Sequence, residues 1–307
     1  MPPQPARARV SPRALGLVAV LLAAMACESS PTEPTGGTGV PVPPPTGGTA
    51  NIVAVGDIGM CGIDGARLTG QQIQGTSGSV LVAGDIAYPG GRPIDFQNCF
   101  DPFYGPFKAR MRPVPGNHEY ETPGAAGYLQ YFGAAARPFG LTYYTMTEGD
   151  WFVLMLDSNI PVGAGSAQYE FVRAALEARR GGCALAVWHH PLFASARNGP
   201  SPFMFDMFRL LHEHGVDVVI NGHDHVYERF GPQDADGRPD AARGIREFIA
   251  GTGGAQLYPF GGPIAVNSEV RISAWGILRM TLRPGAYDWS FVATDNVVAD
   301  SGFSICH

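Results

Sequence analysis

Apolar residues in this chain come in short runs that stop abruptly at a polar residue. NIVAVGD ends at Asp57, SVLVAGD at Asp85, RPVPGNH at Asn117 and His118, ALAVWHH at His189 and His190, and VDVVINGH at His223. Short continuous apolar runs fit strands buried on both faces. The third run is the weakest as a strand, because Pro113 and Pro115 interrupt it and proline cannot donate to a sheet ladder. Between runs the period changes. QYEFVRAALEARR (168–180) carries Phe171, Ala175 and Leu176 on one helical face, and FMFDMFRLLHEHG (203–215) spaces Met204, Met207, Phe208 and Leu211 as a helix before stopping at Gly215. YYTM and WFVLMLD flank TEGD, and WGILRMTL and YDWSFVAT flank RPGA, two antiparallel hairpin signals. Strands alternating with helices, together with these hairpins, predict an α/β fold of two packed mixed β-sheets flanked by helices.

The N-terminal segment has a different pattern. Arg7, Arg9 and Arg13 precede an apolar run from Ala14 to Ala26 that ends at Cys27, the layout of a secretory signal. The run is shorter than the roughly 20 apolar residues of a membrane span. AAMAC is similar to a bacterial lipoprotein cleavage site with Cys27 as the lipidated residue, although Ala24 stands where leucine is usual; a plain secretory cut nearby is the alternative. Residues 28–49 are rich in Pro, Gly, Thr and Ser, with too little apolar surface to fold, and read as a disordered tether. The expected organisation is therefore a signal over 1–27, a linker over 28–49 and a folded domain over 50–307. The chain is expected to be exported, as a cell-envelope lipoprotein or a secreted protein, and to touch a membrane only through a lipid on Cys27. Four further cysteines, Cys61, Cys99, Cys183 and Cys306, allow three pairings. Cys61 and Cys99 each follow a ligand-bearing strand in loops that should lie near one another, so they are expected to pair, leaving Cys183 and Cys306 paired or free. The net charge of −6 comes without a basic run in the body of the chain, which gives no signal for nucleic acid. With 307 residues, 45% of them hydrophobic, the core can be sizeable without a metal to hold it together.

The polar residues that end the runs are all metal-ligand types. In open α/β sheets, ligands lie beyond the carboxyl ends of the strands, so five runs would deliver their terminal residues to one place, with glycine letting the backbone turn. Each alone has a bland explanation: an aspartate after glycine is an ordinary turn, and a buried histidine is usually a satisfied core residue. Five in series are improbable as coincidence. NGHDHVYERF adds His225 two residues after His223.

The ordered set GDIG, GDIAY, GNHE, VWHH and GHDHVYER resembles the calcineurin-like metallophosphoesterases, and among them the purple acid phosphatases and their bacterial secreted relatives. Gly59 stands where most of that superfamily has a ligating histidine, and Tyr88 completes the GDxxY pattern that replaces it. The resemblance runs from about residue 50 to the C-terminus; residues 28–49 are too few and too polar for the N-terminal β-domain of the large plant enzymes, which is expected to be absent. It implies an α/β/β/α sandwich and two metals. Asp57, Asp85, Tyr88 and His225 would hold the first; Asp85, Asn117, His189 and His223 the second, with Asp85 bridging. His189 is preferred because it lies two residues before Pro191, whereas a strict VxxH reading selects His190, which otherwise supports the site or faces substrate. Phenolate and carboxylates favour Fe(III) at the first site; two imidazoles and an amide suit a divalent ion (Zn, Fe or Mn) at the second. His118 would be the general acid or would stabilise phosphoryl charge.

The implied activity is hydrolysis of a small phosphomonoester by a metal-bound hydroxide attacking phosphorus in line. A phosphodiesterase or nucleotidase of the same superfamily is the alternative, with a non-catalytic lipoprotein that binds metal or phosphate behind it. Glu119 and Asp224 read as solvated loop carboxylates. Arg229 would pair with a structural carboxylate or reach a phosphate. GTGG (251–254) reads as a tight turn near the site, Trp151, Trp275 and Trp289 as core, and His212 and His214 as residues of a helix end.

Overall fold

The computed structural model describes residues 43–307; the signal segment, Cys27 and most of the tether lie outside the described residues. The strands in chain order are β1 (Ala50–Val55), β2 (Ser79–Ala83), β3 (Met111–Val114), β4 (Tyr144–Glu148), β5 (Trp151–Met155), β6 (Ala184–Val187) and β7 (Val218–Asn221). They continue with β8 (Tyr227–Phe230), β9 (Arg246–Ala250), β10 (Ser268–Ile272), β11 (Gly276–Arg283), β12 (Ala286–Ala293) and β13 (Val298–Ile305). One sheet runs β13-β12-β11-β1-β2-β3, the other β10-β8-β9-β7-β6-β5-β4. Each has a parallel part, β1-β2-β3 in the first and β5-β6-β7-β9 in the second, continued by antiparallel strands. Both hairpins read from the sequence are present, as β4–β5 and β11–β12.

The continuous apolar runs are explained by burial on both faces. Ile52, Ala54, Leu81 and Ala83 meet Val153, Met155, Leu185 and Ile220 between the sheets. The alternate residues face outward under helices: Val53, Val55, Val80 and Val82 on one side, and Leu154, Ala184 and Ala186 on the other. The result is the expected α/β/β/α layering. Met111–Val114 is a strand despite Pro113, because it lies at the edge of its sheet, where proline costs little.

The helix Ala167–Ala178 starts at Ser166, whose Oγ accepts the Tyr169 N–H at 3.2 Å. It buries Val172, Ala175 and Leu176, while Phe171 is only partly buried, so the buried face is turned by one residue from the predicted one. The helix Phe205–Glu213 buries Met207, Phe208, Leu210 and Leu211. The helix Gly65–Gln74 gave no apolar signal because much of its buried face is Gly, Ala, Thr and Gln; the Thr69 hydroxyl and the Gln72 amide NH2 donate to the carbonyls of Gly253 and Ala293.

Cys61 pairs with Cys99, as expected, and Cys183 with Cys306. Trp151 and Trp289 are buried in strands. Trp275 instead lies between strands, partly buried, with its indole N–H on the Ala255 carbonyl. Residues at the end of the tether are bonded to the body: Thr46 donates to Gly149 O at 3.0 Å and Asp150 donates to Gly48 O at 3.2 Å. Among the described residues no helix is long and apolar enough to cross a membrane.

Candidate metal centre

The five ligand-bearing runs belong to both sheets. β1, β2 and β3 bring theirs from the first, β6 and β7 from the second, so the site forms where two sets of carboxyl ends meet rather than along one. Close backbone approach makes this possible. Gly84 sits at φ +80°, and a Cβ there would lie 2.6 Å from His189 Nδ1; one on Gly222 would lie 2.6 Å from Asp57 Oδ2. Asp57, Asp85 and His223 take positive φ values of 57°, 48° and 71°. Asp and His tolerate this left-handed region better than most residues, and such backbone is held only where the surroundings impose it.

The side chains converge in two groups that share one oxygen. Tyr88 Oη lies 3.0 Å from Asp57 Oδ1, 3.2 Å from Asp85 Oδ2 and 3.0 Å from His225 Nε2. His189 Nε2 lies 3.2 Å from both Asp85 Oδ2 and Asn117 Oδ1, and His223 Nδ1 lies 3.1 Å from Asn117 Oδ1 and 3.3 Å from His189 Nε2. Asp85 Oδ2 is the atom common to both. The other oxygen of each aspartate is tied to backbone: Asp57 Oδ2 accepts the His223 N–H at 2.8 Å, and Asp85 Oδ1 the His118 N–H at 2.9 Å. The free oxygen of each therefore points inward.

The ring tautomers are set the same way. His189 Nδ1 faces the Ala83 carbonyl at 2.8 Å and His225 Nδ1 the Gln256 carbonyl at 2.7 Å. A carbonyl only accepts, so both rings hold their proton on Nδ1 and turn Nε2 to the centre. This donor set fits cations: buried carboxylates, an amide oxygen and imidazole nitrogens converge, and without a cation between them the Asp85 charge draws a proton onto His189 instead. Burial alone would lower His189, yet Asp85 outweighs it and drives the ring up to about 9. Burial likewise raises Asp85, but His189 and His118 hold its carboxyl far below the usual range. Burial, with Asp57 and Asp85 beside it, pushes the Tyr88 phenol well above its ordinary value. Asp57, Asp85 and His189, and separately His189, His190 and His223, offer ligand atoms within 4.8 Å of one another.

All seven ligand candidates thus come together, and His189 rather than His190 is the fully buried ring directed at Asp85 and Asn117. His190 turns its Nδ1 to Ser158 Oγ at 2.8 Å while its ring stays 4.5 Å from that of His223; burial and its histidine neighbours push it down to about 2. His118 lies beside the centre, Nε2 3.8 Å from Asp85 Oδ2, with Nδ1 against the Pro89 carbonyl and 3.2 Å from Glu121. Two acceptors at Nδ1 leave Nε2 as the atom that can give or take a proton.

Two carboxylates are not where the sequence suggested. Glu119 is fully buried, not solvated; it accepts the N–H of Ile86 at 2.8 Å, Ala87 at 3.2 Å and Gly116 at 2.8 Å, joining the loops that carry Asp85 and Asn117. Its signal was its place three residues after Gly116, where a glutamate closes a helix N-terminus. Burial and the nearby Asp85 push it up to about 7. Asp224 is also buried; its Oδ1 accepts the Asn198 N–H at 2.7 Å. Arg229 takes its structural role, with Nε 2.8 Å from Asp300 Oδ2 and a second contact to Glu269. The 251–254 turn packs on the centre, where the Ala255 N–H meets Asp57 O at 2.9 Å. Gln256 and Tyr258, the latter stacked on the His225 ring at 4.0 Å, had no sequence signal.

The sequence signature of the family described as Calcineurin-like phosphoesterase matches residues 50–227, more than half of the chain. The chain belongs to that family. Within reach of this calcineurin-like phosphoesterase is Purple acid phosphatase 15 of Arabidopsis thaliana, 26% identical over 227 residues, covering 62% of this chain and 42% of the relative. The fold is similar to purple acid phosphatase PPD1 from yellow lupin seeds, with a TM-score of 0.70 at 20% identity over 85% of this chain and 55% of that one. It is also similar to GAP50, described as the anchor in the inner membrane complex of Plasmodium, with a TM-score of 0.67 at 14% identity over 85% and 90%. The chain spans less than half of the Arabidopsis relative and just over half of the lupin one.

Proposed function

We propose that the protein is a dinuclear metal-dependent phosphomonoester hydrolase of the purple acid phosphatase type. The observation that carries the reading is Asp85 Oδ2, 3.2 Å from Tyr88 Oη on one side and 3.2 Å from His189 Nε2 on the other: one oxygen serves two complete donor groups. Asp57, Asp85, Tyr88 and His225 would hold a hard ion such as Fe(III); Asp85, Asn117, His189 and His223 a divalent one. Two such ions supply Lewis-acid stabilisation of phosphoryl oxygens and an acidified water. The chain's own residues do the rest. His118 Nε2, beside the shared oxygen, gives its proton to the leaving alcohol, and the Pro89 carbonyl and Glu121 fix the ring for that transfer. Glu119 holds the Asp85 and Asn117 loops at a constant separation.

Fold alone does not carry this reading, since a protein described as a membrane-complex anchor shares it; the donor set does. Metal analysis of the purified protein should return two ions per chain. A screen with a monoester, a diester and a nucleotide should favour the monoester, and His118→Ala should lower kcat by about 10²–10⁴-fold while leaving metal content unchanged. Metal bound at stoichiometry without turnover of any ester would instead support a binding protein. For location, we propose export with a lipid on Cys27; Cys27→Ser should release the chain from the membrane fraction, and wild-type protein already soluble would contradict it.

A further inference from the structure

A cavity of about 570 Å³ opens beside the centre and shares Tyr88, His118 and His225 with it. It lies on the side of His118, the group assigned to the leaving alcohol. A larger cavity of about 710 Å³, on the strands β1, β11, β12 and β13, has no residue in common with the centre.

The walls of the smaller cavity are unlike a site for a polyol or an anion. Met60, Pro89, Ile94 and the Cys61–Cys99 disulfide are among its lining. Ile94 lines the cavity although it is 48% exposed. Tyr258 also lines the cavity and is immobilised: its ring stacks on His225 at 4.0 Å and 11°, the Arg197 guanidinium lies 5.2 Å from its centroid, and its N–H donates to His225 O at 3.1 Å. Arg92 is the cation in the lining, but Asp95 already holds it by Nε at 2.9 Å and Nη2 at 2.7 Å. A guanidinium neutralised by a bidentate carboxylate is a poor site for a second anion.

We propose that this cavity is the leaving-group subsite and that it selects an aromatic or otherwise apolar alcohol, with Ile94 and Met60 as specificity-determining residues; the inference rests on the phosphomonoesterase reading. The alcohol would lie against the apolar lining formed by Met60, Pro89, Ile94 and the disulfide, its ester oxygen toward His118. Apolar contact of this kind discriminates by roughly tenfold or more per well-packed group.

Benzylphosphonate and methylphosphonate, which cannot be hydrolysed, separate the subsite from the reaction. Titrated into metal-loaded protein by calorimetry, benzylphosphonate should bind at least about tenfold tighter. Ile94→Ser and Met60→Ala should each cut that advantage by about threefold or more, with methylphosphonate affinity unchanged. Ile94 is half-exposed, so its variant keeps the fold. Equal affinities in wild type, failure of both ligands to bind, or a preference intact in both variants would overturn the proposal. Phenyl phosphate hydrolysis is followed in parallel. The binding preference without hydrolysis would retain the subsite and remove the phosphoesterase reading; hydrolysis without the preference would remove the subsite alone.

Discussion

Tyr88→Phe removes one oxygen from the point where the two donor groups meet. In the metal-free protein the phenol has three polar neighbours, Asp57, Asp85 and His225, at 3.0, 3.2 and 3.0 Å. Its single proton can be donated to only one of them. The variant therefore forfeits one hydrogen bond to a charged acceptor, about 1.5–3 kcal/mol, less the cost of burying a hydroxyl that phenylalanine does not have. The ring is 4% exposed and keeps its contact with His118 at 4.4 Å between centroids, so no cavity is created. The net loss should be about 1–2 kcal/mol, a fall of a few degrees in Tm. In iron-loaded protein the effect is of another kind. A phenolate on a ferric ion gives a visible charge-transfer band, and the variant should lose that band. It should retain iron more weakly, because Asp57, Asp85 and His225 remain. The assay is absorption of the iron-loaded wild type and variant, read beside their thermal denaturation. A colourless iron-loaded wild type, or the same band in the variant, would refute Tyr88 as a ligand and make a divalent ion the better occupant of the first site.

Glu119→Ala leaves three buried N–H groups unpaired, those of Ile86, Ala87 and Gly116, and should cost about 3 kcal/mol or more; a urea midpoint equal to wild type would show that the loops hold without it. For pH, burial alone would raise the Asp300 carboxyl, but Arg229, Tyr227 and Trp289 donate to it and hold it below its ordinary 3.8. A depressed carboxyl adds stability above the unfolded value and loses it as pH falls through the folded one. Asp300→Asn should therefore be less stable than wild type at pH 7, and the gap in Tm should narrow steadily below about pH 4; a gap independent of pH would mean the carboxylate charge does not matter there.

How much could be read without coordinates differs from element to element. Runs such as Val53–Val55 and Leu185–Val187 announced themselves because both of their faces are buried, so every position is apolar and the strand needs no partner to be recognised. The candidate ligands were equally plain, since Asp57, Asp85, Asn117 and His223 each follow a glycine at a strand end. The helix Gly65–Gln74 was silent, because a helix packed closely against backbone buries small and polar side chains. β13 was silent too: five of its eight residues are exposed and its strand state comes from pairing with β12.

Residue types along the chain therefore determined which side chains could hold a cation and roughly where each strand would stop. The place before Pro191 already favoured His189 over His190, but only the tertiary structure shows which ring faces Asp85 and Asn117, because two adjacent imidazoles differ in direction and not in chemistry, and direction follows from the Ala83 carbonyl and Ser158. It alone drew Glu119 and Asp224 inward, since a carboxylate is buried only where backbone N–H groups from distant segments wait for it. And it alone showed that the convergence on Asp85 Oδ2 joins the carboxyl ends of two different sheets, an arrangement of strands far apart in sequence that no local pattern encodes.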